Sequence, residues 1–172
     1  MESPALSLTE WVVLGLVAEG PTHGFAVARL TGASGPIGAI WQVPRPLVYR
    51  ALGRLSDLAL TRPAGSEPGA GGPERTLIGV TAAGQAAVHA WLVRPVDHIR
   101  DIRSELLVKL ALLDRAGVSA RPLLTAQRDH LRPIVTGLRN RRDGATGFDR
   151  TLTVWRYESA QATLRFLKSI EE

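Results

Sequence analysis

The chain has 172 residues, enough for one large domain or two small ones, and its 45% hydrophobic and 22% charged residues are ordinary for a folded soluble protein. It has no cysteine, which excludes disulfides, thiolate metal sites and cysteine nucleophiles and fits a reducing cytoplasm. No run of about 18 apolar residues occurs, and residues 1–10 lack a basic segment before an apolar one. We therefore expect neither a membrane span nor a signal peptide.

The net charge of +5 is compatible with nucleic acid or another polyanion as a partner, but it is unevenly distributed. Through residue 92 there are six arginines and six acidic residues, whereas from residue 93 onward there are fifteen basic and ten acidic residues. Because the N-terminal half is neutral, any nucleic-acid contact made there has to be argued from local pattern.

Two helices and a turn are predicted at the N-terminus. Leu8–Ala18 reads as a helix with Thr9 as its N-cap, and the dipeptide Gly-Pro that follows ends it. Thr22 is suited to cap a second helix, from His23 to about Leu30. Thr31–Gly38 is rich in Gly, Ser and Pro and predicts a turn.

A third helix is predicted over Arg45–Leu60, beginning near Pro44–Pro46, because proline is tolerated in a first helical turn. An apolar stripe lies on one side of it, and polar residues lie mainly on the other. Four arginines and a single aspartate fall between residues 45 and 62, the strongest local basic bias in the N-terminal half. The stripe consists of Leu47, Val48, Ala51, Leu52, Leu55 and Leu58, and the other side carries Arg45, Tyr49, Arg50, Gly53, Arg54 and Asp57.

A hairpin and a fourth helix follow. Residues 60–62 predict a short strand, and Arg75–Val80 alternates as its return strand. Between them, Pro63–Pro73 is rich in Gly and Pro and predicts an eleven-residue flexible connection, as in the wing of a winged helix. Thr81 is then the expected cap of a helix from Ala82 to about Val93.

Pro95 marks the predicted domain boundary, between residues 1–94 and 95–172. Three helices are expected in the second domain, over Ile99–Leu113, Pro122–Arg141 and Phe148–Ile170. Apolar residues seven apart in these segments indicate helices that lie along one another, within a chain or across a dimer. The predicted fold is therefore mainly α with a small β-hairpin wing: an N-terminal winged helix-turn-helix and a C-terminal helical dimerisation domain.

Three short motifs resemble the PadR-like family of transcriptional regulators. They are the His-Gly-Phe step that opens the second helix, the pattern Tyr-x-Ala-Leu-x-x-Leu in the third helix, and Thr-x-x-Gly at the start of the fourth. Each is weak alone, but together they occur in the family's order and spacing over about the first half of the chain. The matching stretches are Leu8–Leu16, Gly20–Phe25, Val48–Leu55 and Leu77–Gly84.

The resemblance implies a bacterial, cytoplasmic and nucleoid-associated homodimer that binds a palindromic operator in double-stranded DNA. The third helix would enter the major groove, where a bidentate arginine reading guanine is the commonest specific contact. Helix N-termini attract phosphate, and an arginine at the wing base can meet phosphate or the minor groove. The candidate DNA-binding residues are Thr22, His23, Arg45, Tyr49, Arg50, Arg54 and Arg75.

The resemblance also implies a repressor that a small-molecule effector releases, with the effector held between the two domains. Such a pocket would be lined by Trp91, Leu107, Phe148 and Trp155, although large aromatics at helical spacing are more often core. The basic residues of the C-terminal half suggest an anionic effector instead, with a solvated helix surface as the simpler interpretation. The sequence does not choose between an aromatic and an anionic effector. The basic residues are Arg128, Arg132, Arg139, Arg141 and Arg142.

We expect no enzyme activity, cofactor or metal. The glycine-rich stretch Gly69–Arg75 lacks the Lys-Ser/Thr of a phosphate-binding loop, and Pro73 stands where the helix should begin. The four histidines have no metal-ligand spacing, and no serine sits in a nucleophile elbow. The alternative to a DNA-binding regulator is a winged-helix module for protein–protein contact, without an effector or specific DNA binding.

Overall fold

The structure is a computed structural model that describes residues 5–69 and 72–171, and of residues 69, 72 and 73 it describes the backbone alone. Three helices, a hairpin and a fourth helix come first, followed by three more helices. This order confirms the predicted winged helix-turn-helix with a helical C-terminal segment. The elements are α1 (Leu8–Ala18), α2 (Gly24–Thr31), α3 (Arg45–Asp57), β1 (Thr61–Gly69), β2 (Gly72–Val80), α4 (Ala82–Val93), α5 (Leu107–Arg115), α6 (Arg121–Arg142) and α7 (Gly147–Ser169).

Helix α1 has the predicted bounds but a different cap. Ser7 is the N-cap, and its side chain accepts a hydrogen bond from the backbone N–H of Glu10, whose carboxylate in turn accepts from the N–H of Ser7. This capping box satisfies two backbone donors at once, which a cap by Thr9 would not do. Thr9 instead lies inside the first turn, where its hydroxyl accepts from Trp41 Nε1 at 3.4 Å.

The prediction of an eleven-residue flexible wing loop is wrong. Strands β1 and β2 pair in antiparallel fashion from Thr61 opposite Val80 out to Gly69 opposite Gly72. Register shifts interrupt the ladder on either side of Ser66 and Glu67, next to Gly65, whose φ is +115°, and to Pro68. A two-stranded ribbon has no central strand, so bulges and edge positions accept the glycine and proline residues that a larger sheet excludes.

The chain divides into two compact units: Met1–Leu92 with Val108–Gly117, and Val93–Leu107 with Val118–Glu172. The domain boundary after residue 94 stays a prediction. The helix predicted over Ile99–Leu113 is not continuous, because a 3₁₀ turn over Ile99–Asp101 and a π turn over Ile102–Leu106 precede α5.

In the first unit, α1, α3 and α4 surround a core whose largest members are two indoles. Trp11 and Trp91 stack with ring centroids 5.1 Å apart, and the Lys109 ammonium of α5 lies 4.9 Å from the Trp91 ring while fully buried. At the other end of α5, Arg115 forms a two-pronged ion pair with Glu19, at 2.7 and 2.6 Å. The hydrogen bond from Arg115 to Glu19 raises the pKa of the guanidinium.

The second unit is built on α6 packed against α7. Val135 and Leu138 of α6 meet Ala160 of α7 in a buried cluster. Buried Gln127 bonds both backbone groups of Val96, at 2.7 and 3.0 Å, which fastens the segment after α4 to α6. Among the described helices, none is long and apolar enough to cross a membrane.

Two glycines provide a matched test of the packing in the first unit. A Cβ on Gly84 would lie 2.1 Å from the carbonyl oxygen of Leu60, whereas one on Gly53 would meet nothing within 4 Å. We expect Gly84→Ala to lower the free energy of unfolding by roughly 1–3 kcal/mol through overpacking. Gly53→Ala, within α3, should raise it by roughly 0.5–1 kcal/mol. Urea unfolding of both variants measures this, and equal stabilities would contradict the close approach of α4 to Leu60.

Candidate DNA interface

The apolar stripe of α3 determines which of its side chains face outward. Val48, Ala51, Leu52 and Leu55 are buried, and α3 packs on α1 and α2. At 100° per residue, the direction opposite these four contains Pro46, Arg50, Gly53 and Asp57. Two of the residues predicted for the stripe differ: Leu47 is 37% exposed and Leu58 lies beyond the helix end as its C-cap.

The start of α3 is held by backbone rather than by a side-chain cap. Pro44 is the N-cap and makes no side-chain hydrogen bond, and Pro46 falls in the first turn. Just before it, the N–H of buried Val43 donates to the carbonyl of Thr31 at 2.9 Å. The end of α2 therefore fixes where α3 begins, and the proline-restricted backbone makes a hydroxyl cap unnecessary.

Arg50 lies at the centre of the outward face of α3. Its side chain is exposed, and none of the described carboxylates lies within 4.0 Å of it. Gly53, one turn further on, leaves open space beside it. An arginine without an internal partner next to a bare stretch of helix backbone can approach a base edge closely.

Arg54 faces the side of α3 toward α1. Its Nε lies 3.8 Å from Glu10 Oε1, and the arginine side chain remains 57% exposed. Glu10 already completes the capping box of α1, so its carboxylate holds Arg54 loosely while it fixes the helix start. Glu10 could not be recognised from the sequence, since nothing in the spacing of α1 and α3 connects it with Arg54.

On the other side of α3, two arginines converge on one aromatic ring. The guanidinium carbon of Arg45 lies 5.6 Å from the ring centres of both Phe25 and Tyr49, and that of Arg75 lies 5.5 Å from Phe25. Phe25 and Tyr49 are 41% and 46% exposed. Phe25 was missed as a site residue, although the His-Gly-Phe motif contains it. The structure thus brings together three elements here: the start of α2, the start of α3 and the middle of β2.

His23 has a structural role between α2 and the wing. It is the N-cap of α2, where its Nδ1 accepts the N–H of Ala26 at 3.0 Å, and its Nε2 lies 3.1 Å from a carboxylate oxygen of Glu67 on β1. An accepting Nδ1 puts the ring proton on Nε2, which then donates to Glu67. Arg75 Nη1, 3.3 Å from the same nitrogen, packs against it. The phosphate contact predicted for His23 stays a prediction.

Thr22 does not cap α2 as predicted, since His23 occupies that position. Thr22 instead forms a β-bridge with Ile78: its N–H donates to Ile78 at 3.0 Å, and the N–H of Ile78 returns the bond at 2.7 Å. The bridge and the His23–Glu67 contact together tie the wing to the start of α2. Thr81, by contrast, caps α4 as predicted, by accepting the N–H of Gly84 at 3.0 Å.

The residues predicted to line an effector pocket lie in different settings. Trp91 is 2% exposed and stacks on Trp11 in the core of the first unit. Leu107 is half-buried at the start of α5. Phe148 and Trp155, both on α7, are 79% and 63% exposed. An effector pocket built from these four side chains stays a prediction.

No protein-family model matches the chain, and no curated protein matches it by sequence. Solved structures do. Bacillus subtilis PadR in complex with operator DNA is 18% identical, with a TM-score of 0.49 over 95% of this chain and 97% of that one. The same protein with p-coumaric acid is 17% identical, with a TM-score of 0.46 over 95% and 96% of the chains. A Streptococcus mutans protein is 10% identical, with a TM-score of 0.44 over 93% and 96%.

Two of these are structures of PadR, whose family the sequence motifs resemble. The likenesses extend over nearly the whole chain at low identity. The assignment of a winged helix-turn-helix rests on this chain's own elements, which are α1–α3, the hairpin β1–β2, and α4 capped by Thr81.

The two roles of His23 can be separated by substitution. We expect His23→Ala to lower the free energy of unfolding by about 1–2 kcal/mol, because α2 loses its N-cap and the wing loses its contact through Glu67. His23→Asn should recover the part of that loss that comes from the cap, since asparagine is a good N-cap. Urea unfolding measures both variants. If asparagine were no better than alanine, the capping role would be refuted.

Proposed function

We propose that this chain is a homodimeric transcriptional regulator that binds operator DNA with α3 in the major groove. The observation that carries the proposal is the outward face of α3: Arg50 at its centre without an internal partner, and Arg45 and Arg54 on its two flanks. A helix with this arrangement can place guanidinium groups on guanine edges and on phosphates together. Tyr49 adds a ring and a hydroxyl at the same end of the helix as Arg45.

The wing supports the same surface from the side. Thr22 and His23 bind its two strands to the start of α2, so Arg75 is held beside Phe25 and Arg45 rather than on a free loop. In the proposed complex Arg75 contacts phosphate or the minor groove next to the segment read by α3. Thr22 and His23 act at the same α2 terminus, where backbone N–H groups favour phosphate.

A second surface, on α7, supports dimerisation. Apolar and small side chains recur on one side of this helix at intervals of four and three residues, apart from the face buried against α6. Phe148, Trp155 and Ala162 are exposed, and Leu152, Ser159 and Phe166 on the same side are half-buried. A sustained heptad stripe of this kind is typical of a helix that pairs with another helix. The stripe consists of Phe148, Leu152, Trp155, Ser159, Ala162 and Phe166.

A dimer suits the proposed DNA contact, because two α3 helices reach half-sites about one helical turn apart, roughly 34–36 Å, on a palindromic operator. A dimer bound over a promoter blocks RNA polymerase, so we propose repression. We further propose that a small-molecule effector, aromatic or anionic, releases the repressor from its operator. The effector pocket predicted around Trp91, Leu107, Phe148 and Trp155 belongs to this part of it.

The reading role of α3 is tested by the double variant Arg50→Ala/Arg54→Ala. We expect its affinity for DNA from its own promoter region to fall at least about 30-fold, since each arginine–guanine pair contributes about 1–3 kcal/mol. Fluorescence anisotropy at fixed salt measures the change, because affinity depends on salt concentration.

The matched control is Arg121→Ala/Arg132→Ala, which removes the same charge from the exposed side of α6. It should bind within about threefold of the parent, as expected for a lost nonspecific attraction at moderate salt. If the parent, the control and the Arg50→Ala/Arg54→Ala variant all bound the promoter DNA equally well, α3 would not contact the DNA. Failure of the parent protein to bind would favour the protein-interaction module.

The dimer surface is tested by Trp155→Glu. A charge in the middle of the α7 stripe should convert the dimer to a folded monomer, because an unpaired buried charge costs several kcal/mol. Sedimentation equilibrium measures the mass, and circular dichroism checks the helix content. Arg150→Glu, on another side of α7, is the control and should remain dimeric. A dimeric Trp155→Glu variant would place the interface elsewhere.

A further inference from the structure

We propose that Glu10 of α1 positions Arg54 of α3 for reading a guanine, and that it thereby sets how strongly the chain distinguishes its operator from other DNA. This role rests on the proposed function, because it requires α3 to lie in the major groove. Glu10 itself contacts no DNA in the proposal and acts only through the arginine. Both residues lie within the first unit.

The two carboxylate oxygens of Glu10 have different partners. Oε2 accepts hydrogen bonds from the backbone N–H and from the hydroxyl of Ser7, at 2.7 and 2.8 Å. Oε1 faces α3, where it lies 3.8 Å from Nε of Arg54. The capping box of α1 therefore uses one oxygen of the carboxylate, and the other oxygen is an acceptor for the arginine.

The carboxylate of Glu10 is held more firmly than the guanidinium group that it faces. The Glu10 side chain is 18% exposed and that of Arg54 is 57% exposed. The two hydrogen bonds from Ser7 orient the carboxylate in the absence of DNA. The separation of 3.8 Å from Arg54 is an ion-pair distance that can shorten when the arginine is drawn onto a base. Glu10 is therefore a fixed anion against which an exposed cation can be oriented.

The position of Glu10 determines which donors of Arg54 stay available. Nε is the guanidinium nitrogen paired with Glu10. In a planar guanidinium group, the edge formed by the two Nη nitrogens lies opposite Nε. A bidentate contact to guanine uses two N–H donors, one to O6 and one to N7. The Nη edge that Glu10 leaves free can supply both donors.

The same ion pair should weaken binding to DNA that lacks the operator sequence. Nonspecific binding depends on the attraction between cationic side chains and phosphates. Glu10 offsets part of the charge of Arg54, and its own charge repels phosphate. A guanine contact needs an oriented arginine, whereas a phosphate contact needs mainly its charge. Glu10 should therefore favour the specific contact over the nonspecific one.

The variant Glu10→Gln separates the two uses of this side chain. Glutamine also serves in capping boxes, because its amide oxygen can accept from Ser7. It does not hold the guanidinium group, because the other end of its amide is a donor. We expect Glu10→Gln to bind an operator duplex about three- to fivefold more weakly, a part of what an arginine–guanine pair contributes. It should bind a scrambled duplex of the same length at least as tightly as the parent does, and fluorescence anisotropy at fixed salt measures both affinities.

Glu19→Gln is the matched control. Glu19 is the C-cap residue of the same helix, and it also pairs with an arginine, Arg115. It lies roughly 14 Å from Glu10 along the helix axis, which is more than a Debye length at physiological salt. The control removes the same charge and an ion pair without changing α3. Its affinities for both duplexes should stay within about twofold of the parent's. A control that reproduced the effect of Glu10→Gln would overturn the inference.

A double-mutant cycle tests whether Glu10 acts through Arg54. Arg54→Ala alone should weaken operator binding at least about fivefold, and adding Glu10→Gln to it should cause no further loss. A further loss in that background, equal weakening of both duplexes by Glu10→Gln, or unchanged operator binding by Glu10→Gln overturns the inference alone. A parent protein that does not distinguish the two duplexes, or an Arg54→Ala variant that binds the operator like the parent, overturns the reading role of Arg54 and the inference with it.

Discussion

The packing of one side of α3 against α1 and α2 is the constraint on which the rest of the first unit depends. Because Val48, Ala51, Leu52 and Leu55 are buried, the helix has a single orientation, and Arg50 can face only outward. The hydrogen bond from the N–H of Val43 to the carbonyl of Thr31 fixes the position of the helix along its axis, while the buried side fixes its rotation. A reading helix needs both, since a rotation of 100° or a shift of one residue would present a different side chain to the DNA.

The wing is held against the start of α2 by backbone hydrogen bonds and by one histidine. A hairpin without a third strand is marginal by itself, and this one gains its support from the Thr22–Ile78 bridge and from His23 on Glu67. The result is that Arg75 is positioned by α2. The His-Gly-Phe motif thus has three structural uses: a cap, a close approach to α3, and a ring beneath two guanidinium groups.

Much of this could be predicted from the sequence, and the failures have physical causes. Apolar periodicity predicted α1 and α4 to the residue, and the stripe of α3 predicted its exposed arginines. The inner parts of both wing strands were predicted, but their extension into Pro63–Pro73 was missed, because the pairing there uses backbone groups that the Gly and Pro residues do not reveal. The caps at Ser7 and His23 were missed because Thr9 and Thr22 lie close by, and threonine is also a preferred N-cap residue. Contacts between distant segments, such as Glu10 with Arg54, leave no local pattern.

The most direct test of the central claim is a base-analogue cycle on the promoter operator. Replacing each guanine in turn with 7-deazaguanine removes the N7 acceptor that an arginine in the major groove uses. If α3 reads the operator, one substitution in each half-site will weaken the parent protein about tenfold and leave Arg50→Ala unaffected. Equal weakening of parent and variant at every guanine would contradict the account, because Arg50 would then contact no base.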